Sequence, residues 1–234
     1  MDTAQFALNK ELLEAAKGCD LIKVEELLRR GADPLGSSDA NEQHAYILSE
    51  LFYSSADDEK MADTMPELLR LFFAHRMDIT ARSIPDDDEN NINPLWDLAF
   101  VNTEGGLKIL HVLLEHGLDC HSAEILVEHI FVDMELCDGC KIDDEWWRES
   151  WSCSLKMVML VASYPHILEN STYIADCISL AENDAARLSC FRDWDHFTYQ
   201  IDLSTCDNIP HGLRSATVRI KDTETGETVW TMTV

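Results

Sequence analysis

The stretch NPLWDLAFVNTEGGLKILHVLLEHGLDCHS, Asn93 to Ser122, decides how the rest of the chain is read. Pro94 suits the first position of a helix, where its φ is preset and its missing N–H would have had no partner anyway. Leu95, Leu98 and Ala99 follow at i, i+3 and i+4, one face of a helix, and Ala99 is small enough for close helix contact. A second, leucine-rich run closes on Gly117, which tolerates the positive φ of a residue just past a helix end. The stretch therefore predicts two short helices with a fixed close, and it contains no residue set that does chemistry.

Three segments close in this way: VEELLRRGADP (Val24–Pro34), PELLRLFFAHRMDIT (Pro66–Thr80) and LKILHVLLEHGLDCH (Leu107–His121). Gly31 and Gly117 hold the equivalent place, and Arg76 takes it in the middle copy, where it is expected to cost stability or to be remodelled locally. The aspartates that follow, Asp33, Asp78 and Asp119, lie 45 and 41 residues apart. With a short helix, a turn, a leucine-rich helix and a Gly-Ala-Asp-type exit, the chain resembles the ankyrin repeat. The match is best in Leu12–Pro34 and Asn93–Asp119 and fair over Met65–Ala81. Asn93 stands for the usual Thr, Trp96-Asp97 replaces the usual Leu-His pair, and the spacings exceed the ~33 residues of a standard unit. A HEAT-like solenoid stays open as the alternative.

The expected fold class is mainly α: an ankyrin-like helical-repeat solenoid of about four units over residues 1–171, with a C-terminal helix and a three-stranded antiparallel β meander over 172–234. Insertions at Ser54–Met65 and Arg82–Asn93 take up the excess length, the second at the place where an ankyrin fold projects a finger. A fourth, degenerate unit uses Ser122–Leu136 and Ser154–Ile167, separated by an insertion at Cys137–Trp151. After a helix at Tyr173–Phe191 the period changes to two: Phe197, Tyr199, Ile201 and Leu203 alternate with polar residues, as in a strand with one buried face. Ala216, Val218 and Ile220 are expected to face Trp230, Met232 and Val234, and the meander to cover the open end of the solenoid.

Forty-four Asp and Glu against 18 Lys and Arg give a net charge of −26. That field repels phosphate backbones and anionic membrane surfaces, which argues against nucleic-acid and membrane partners. It attracts a basic protein and also keeps the chain soluble; charge alone leaves both uses open. The opening residues show no basic region followed by an apolar one, and no apolar run nears the ~20 residues that span a bilayer, so a cytoplasmic location is expected. There the eight scattered cysteines read as free thiols. Cys137 and Cys140 form one CxxC, with Cys120 and His121 upstream, but a zinc site needs a second spaced pair, and a turn with two thiols is preferred. No nucleophile elbow, phosphate loop or metalloprotease motif is present, and neither a cofactor nor a metal is expected. His75 and His116 fall on the closing turns of their helices, where they complement the negative helix end, and His111 reads as a buried side chain.

Two clusters stand out as surface. Asp86, Asp87, Asp88 and Glu89 place four like charges in one insertion, an extended loop that could receive Lys and Arg side chains. Trp146, Trp147 and Trp151 sit among acids, with Trp147 and Trp151 at i and i+4 of a helix; some pack, and an exposed one suits an arginine-bearing partner. With Trp96, these are the expected partner-binding residues. The expected function is a non-enzymatic protein-interaction module that binds a basic protein. Its type resembles the immunity proteins of bacterial toxin systems. An enzyme with a dispersed site and a purely structural adaptor are the alternatives.

Overall fold

Helices α1 (Thr3–Lys17), α2 (Leu21–Arg29), α3 (Ile47–Asp57), α4 (Glu59–Ala74), α5 (Pro94–Ala99) and α6 (Glu104–Glu115) make up the first part of the chain. In this computed structural model the described residues are 3–38, 46–79, 94–135, 145–172, 174, 197–205, 214–222 and 224–233. Helices α2, α4 and α6 stop in the same way. Gly31, Arg76 and Gly117 take the left-handed conformation, with φ of 96°, 70° and 88°. Their N–H groups donate to Leu28, Phe73 and Leu114, while those of Ala32, Met77 and Leu118 donate to Leu27, Phe72 and Leu113, each of these three at 3.0 Å. This double bond satisfies carbonyls that a helix end leaves over, and it brings an apolar residue back onto the last turn. All six side chains of those apolar pairs are buried. Helix α1 closes likewise, on Cys19 at φ 56°, with the Asp20 N–H on the Ala15 carbonyl.

Helix α1 packs with α2 and α3 with α4, while α5 packs on α3 and α6 on α4. The first helices, α1, α3 and α5, lie side by side in one layer, and α2, α4 and α6 form the second. Between the layers lie Leu12, Val24, Leu27, Leu51, Phe52, Leu68, Phe72, Leu98, Ile109 and Leu113, none more than 1% exposed. Each large side chain so buried contributes about 1.5–3 kcal/mol of hydrophobic stabilisation. Gly105 lets α6 approach α4 closely, since a Cβ there would come within 2.7 Å of the Ala62 Cβ. The first pair is tied to its exit loop by a buried amide. Asn9 Oδ1 accepts from the Asp33 N–H at 2.9 Å, and Asn9 Nδ2 donates to the Ser37 carbonyl at 3.0 Å. This part of the chain is a multi-helix fold consistent with a generic helical repeat.

Met1–Leu118 and Asp119–Val234 form two compact units. Helix α7 (Cys120–Glu135) starts on Asp119, whose carboxylate accepts from the Ser122 N–H at 3.0 Å and from Ser122 Oγ at 2.7 Å. Helices α8 (Glu145–Ala162) and α9 (Pro165–Leu168) pack on α7 and on each other. Ser171 Oγ donates to Glu124 Oε1 at 2.5 Å, which fastens the segment after α9 to α7. Strands β1 (Phe197–Thr205), β2 (Arg214–Asp222) and β3 (Thr228–Thr233) pair antiparallel in the order β1-β2-β3. Val218 opposes Met232 and Ile220 opposes Trp230, whereas Ala216 has Leu203 of β1 as its partner. Val234 lies outside the described residues.

The fold class expected from the sequence, one ankyrin-like solenoid to residue 171 with an appended cap, is corrected. The chain divides after Leu118, and α7, α8 and α9 share a unit with the strands. One expected insertion is helix throughout except for one residue, and the described part of another is helix. Ser54–Met65 is divided between α3 and α4, with Asp58 alone as the break. The Asp58 carboxylate caps α4 by accepting from the Lys60 and Met61 N–H groups. Met61, Ala62 and Met65 are buried, so the segment is an amphipathic helix whose polar residues mimic a loop. Within Cys137–Trp151, residues 145–151 belong to α8, continuous with the helix expected from Ser154.

Candidate protein-binding surface

Three first-layer helices bring together residues far apart in the chain. Lys17 at the end of α1 pairs with Glu50 of α3, Nζ to Oε2, at 2.8 Å. Ser49, the residue before Glu50, is 8% exposed. Asp97 of α5 is half-buried and lies within the electrostatic reach of both. Its carboxyl is pushed above the ordinary carboxylate range, first by burial and also by the nearby negative charge of Glu50, while the Ser49 hydroxyl acts in the opposite direction. Ser49 Oγ and Asp97 Oδ2 are nonetheless both buried without a well-formed hydrogen bond. Two such atoms facing across one helix contact are uncommon, because burying an unsatisfied polar group costs about 1–3 kcal/mol.

The direction of the helices sets what surrounds this row. Asp63 and Ala62, early in α4, meet Lys108 and Gly105, early in α6, with Lys108 Nζ 2.7 Å from Asp63 Oδ1. Since α3 ends where α4 begins and α5 ends just before α6, α3 and α5 run the same way. Tyr53, one turn beyond Glu50, and Phe100, one turn beyond Asp97, therefore lie toward the same end of the layer. Tyr53 is 63% and Phe100 45% exposed; with Ile22 they are the exposed large apolar side chains among the described residues. Isolated exposed apolar residues are ordinary, but one on α3 and one just past α5, on neighbouring elements, mark a surface suited to contact.

The residues singled out in the sequence fare unevenly. Trp96 is on α5, half-buried, and adjoins Asp97 in the chain. Asp86, Asp87, Asp88 and Glu89 lie outside the described residues. Trp146, Trp147 and Trp151 belong to the first turns of α8, and their side chains lie outside what is described. Sequence reasoning missed Ser49, Glu50, Tyr53 and Asp97. A signal was present at Asp97, an acid between Leu95 and Leu98 on an otherwise apolar helix, but Ser49 and Glu50 looked like any polar residues of α3.

His111 is corrected: it is exposed, with Nδ1 3.4 Å from Glu115 Oε1 on the same outward face of α6. The apolar residues of α6 turn inward and leave His111 to water. His75 and His116 are the C-caps of α4 and α6. The His116 ring stacks on Phe73 at 4.3 Å, and its Nδ1 donates to the Val112 carbonyl at 2.8 Å. Cys19, Cys120 and Cys153 are not joined in disulfides, and Cys137 and Cys140 lie outside the described residues. Among the described residues no group of three or more His, Cys, Asp or Glu side chains is placed to hold a metal ion.

The charge is spread over both units. Residues 1–118 carry 23 acids and 10 bases, and residues 119–234 carry 21 and 8, so each holds a net −13 and charge alone selects neither. In the first unit, Lys23 pairs with Glu26, Arg29 with Glu25, Arg70 with Glu67 and Lys108 with Asp63. These exposed pairs add little stability, but they occupy four of the first unit's ten cations, and the surplus of acids stays uncompensated. No helix among the described residues is long and apolar enough to cross a membrane. No protein-family model, no curated protein and no solved structure matches the chain.

Proposed function

We propose that this protein is a non-enzymatic interaction module that recognises a basic protein through an acidic surface. The observation that supports it best is the net charge of −26, distributed over both units, while Lys23, Arg29, Arg70 and Lys108 are held in internal ion pairs. Such a field accelerates encounter with a basic partner and turns away nucleic acid. A stack of helix pairs supplies a broad, rigid face for that partner, which is how helical repeats bind. On the resemblance of Leu12–Pro34 and Asn93–Asp119 we read the helix pairs as degenerate ankyrin repeats. On resemblance of type, we assign the protein to the toxin-neutralising immunity class.

The test is capture from the native host followed by kinetics. A basic protein is expected to co-purify, with an association rate that falls steeply as salt rises. Replacing Asp86, Asp87, Asp88 and Glu89 by Ser is expected to lower kon and flatten its salt dependence. An alanine at a tryptophan anchor among Trp96, Trp146, Trp147 and Trp151 is expected to raise koff by a factor matching about 2 kcal/mol. A partner that is acidic, or association insensitive to salt, removes the reading.

A further inference from the structure

We propose that two copies of this chain pair through the outer edge of β1, antiparallel about Ile201, so that two three-stranded sheets become one sheet of six strands. The inference concerns a different surface from the one that attracts a basic protein, and it stands or falls independently of that reading.

Strand β1 pairs with β2 along all nine of its residues without a shift of register, and among the described residues no strand lies against its other edge. An edge strand turns alternate N–H and C=O groups outward, which makes it a template for a further strand. Proteins blunt such edges with lysine, proline, bulges or very short strands. None of these devices is present in β1: FTYQIDLST contains no Lys, Pro or Gly, and its single charge is Asp202. The opposite edge of the sheet is treated differently. Strand β3 runs for six residues, and its register with β2 shifts between Ile220 and Lys221. Only one edge is long and regular, so the assembly closes at two copies instead of growing into a fibre.

Charge and register decide the occupant. The three strands hold Asp202 and Asp222 against Arg214, Arg219 and Lys221, a net +1 in a chain of net −26. A basic partner is therefore drawn elsewhere, and the sheet is where two acidic chains meet with least repulsion. Antiparallel pairing about Ile201 sets Ile201 opposite its own copy, Tyr199 opposite Leu203 and Phe197 opposite Thr205. On the other face it sets Thr198 opposite Ser204 and Gln200 opposite Asp202. The apolar alternation of β1 then continues across the junction, and no like charges are opposed. Centring the pairing one residue further on would put Asp202 directly opposite its own copy, which is unfavourable.

The test is sedimentation of the full chain over a range of concentration and salt, with circular dichroism confirming the fold of each variant. The parent is expected to dimerise, and more strongly as salt rises, because salt screens the repulsion between two chains of net −26. Gln200→Asp places a carboxylate opposite Asp202 of the second copy at two symmetry-related positions. Within one chain the same position stands opposite Arg219, where an acid is favourable, so the fold is kept. This variant is expected to raise the dimer dissociation constant about tenfold. Gln200→Lys opposes Asp202 with a base and is expected to lower it. Thr231→Asp is the control: it makes the same change of charge, also opposite Arg219, but on β3, and is expected to dimerise like the parent. A parent that stays monomeric at every concentration and salt refutes the proposal, even if it binds a basic protein. A dimer that Gln200→Asp and Thr231→Asp weaken equally, or not at all, refutes it as well, since the contact then lies elsewhere.

Discussion

Replacing Arg76 by glycine is expected to stabilise the protein, and the geometry gives the size of the effect. Arg76 sits just past α4 at φ 70°, where Gly31 and Gly117 sit past α2 and α6. A side chain in that conformation brings its Cβ against the neighbouring carbonyl, at a cost of roughly 1–2 kcal/mol. Glycine removes the clash but gives the unfolded chain more freedom, which takes back about 0.4–1 kcal/mol. The net gain is about 1 kcal/mol. The bonds that define the close, from the Arg76 N–H to Phe73 and from the Met77 N–H to Phe72, are main-chain and persist in the variant. Arg76→Ala removes the same charge and keeps the Cβ, so the difference between the two variants isolates the backbone term. Urea denaturation should place Arg76→Gly above Arg76→Ala by about 1 kcal/mol, a shift of roughly 3–5 °C in a thermal melt of the first unit. Equal stability of the two would mean that the left-handed close is not strained at Arg76, and the repeat argument built on it would fail.

Other outcomes follow from buried polar groups. Asn9→Ala leaves the Asp33 N–H and the Ser37 carbonyl without their side-chain partner and is expected to cost about 3 kcal/mol, measured as a lowered urea midpoint with unchanged slope. Asp97 has a folded pKa raised above its unfolded one, so the folded state holds more protons between the two values. Its contribution to stability is full below the unfolded value, about 3.9, and is lost as pH rises through the folded value. Asp97→Asn is therefore expected to be more stable than the parent near neutral pH, with the gap closing toward pH 3–4 in urea melts; a gap that does not depend on pH would contradict the burial of this carboxyl.

The helix stops were legible in the sequence because their chemistry is local. A left-handed residue, the apolar pair around it and the bonds of the last turn all lie within six positions, so Gly31, Arg76 and Gly117 declare themselves. The two-residue period of Phe197–Thr205 is equally local. Segments that turn on partners distant in the chain were not legible. Ser54–Met65 looks polar enough for a loop, and it becomes helix because Met61, Ala62 and Met65 find a core to enter. His111 follows an apolar run, and only the packing of α6 on α4 decided that it faces water. The break after Leu118 depends on what α7 packs against, which no repeat spacing records.

The sequence by itself determined a strongly acidic chain, a run of leucine-rich helices and where three of them end, since composition and short-range stereochemistry suffice for each. The tertiary structure alone decided that Asp97 meets Ser49 and Glu50, 47 or more positions away, and that Tyr53 and Phe100 stay in solvent. Burial and electrostatic field belong to a site and not to a residue type. An aspartate acquires a displaced pKa or an unmet hydrogen bond only when other helices take away its water.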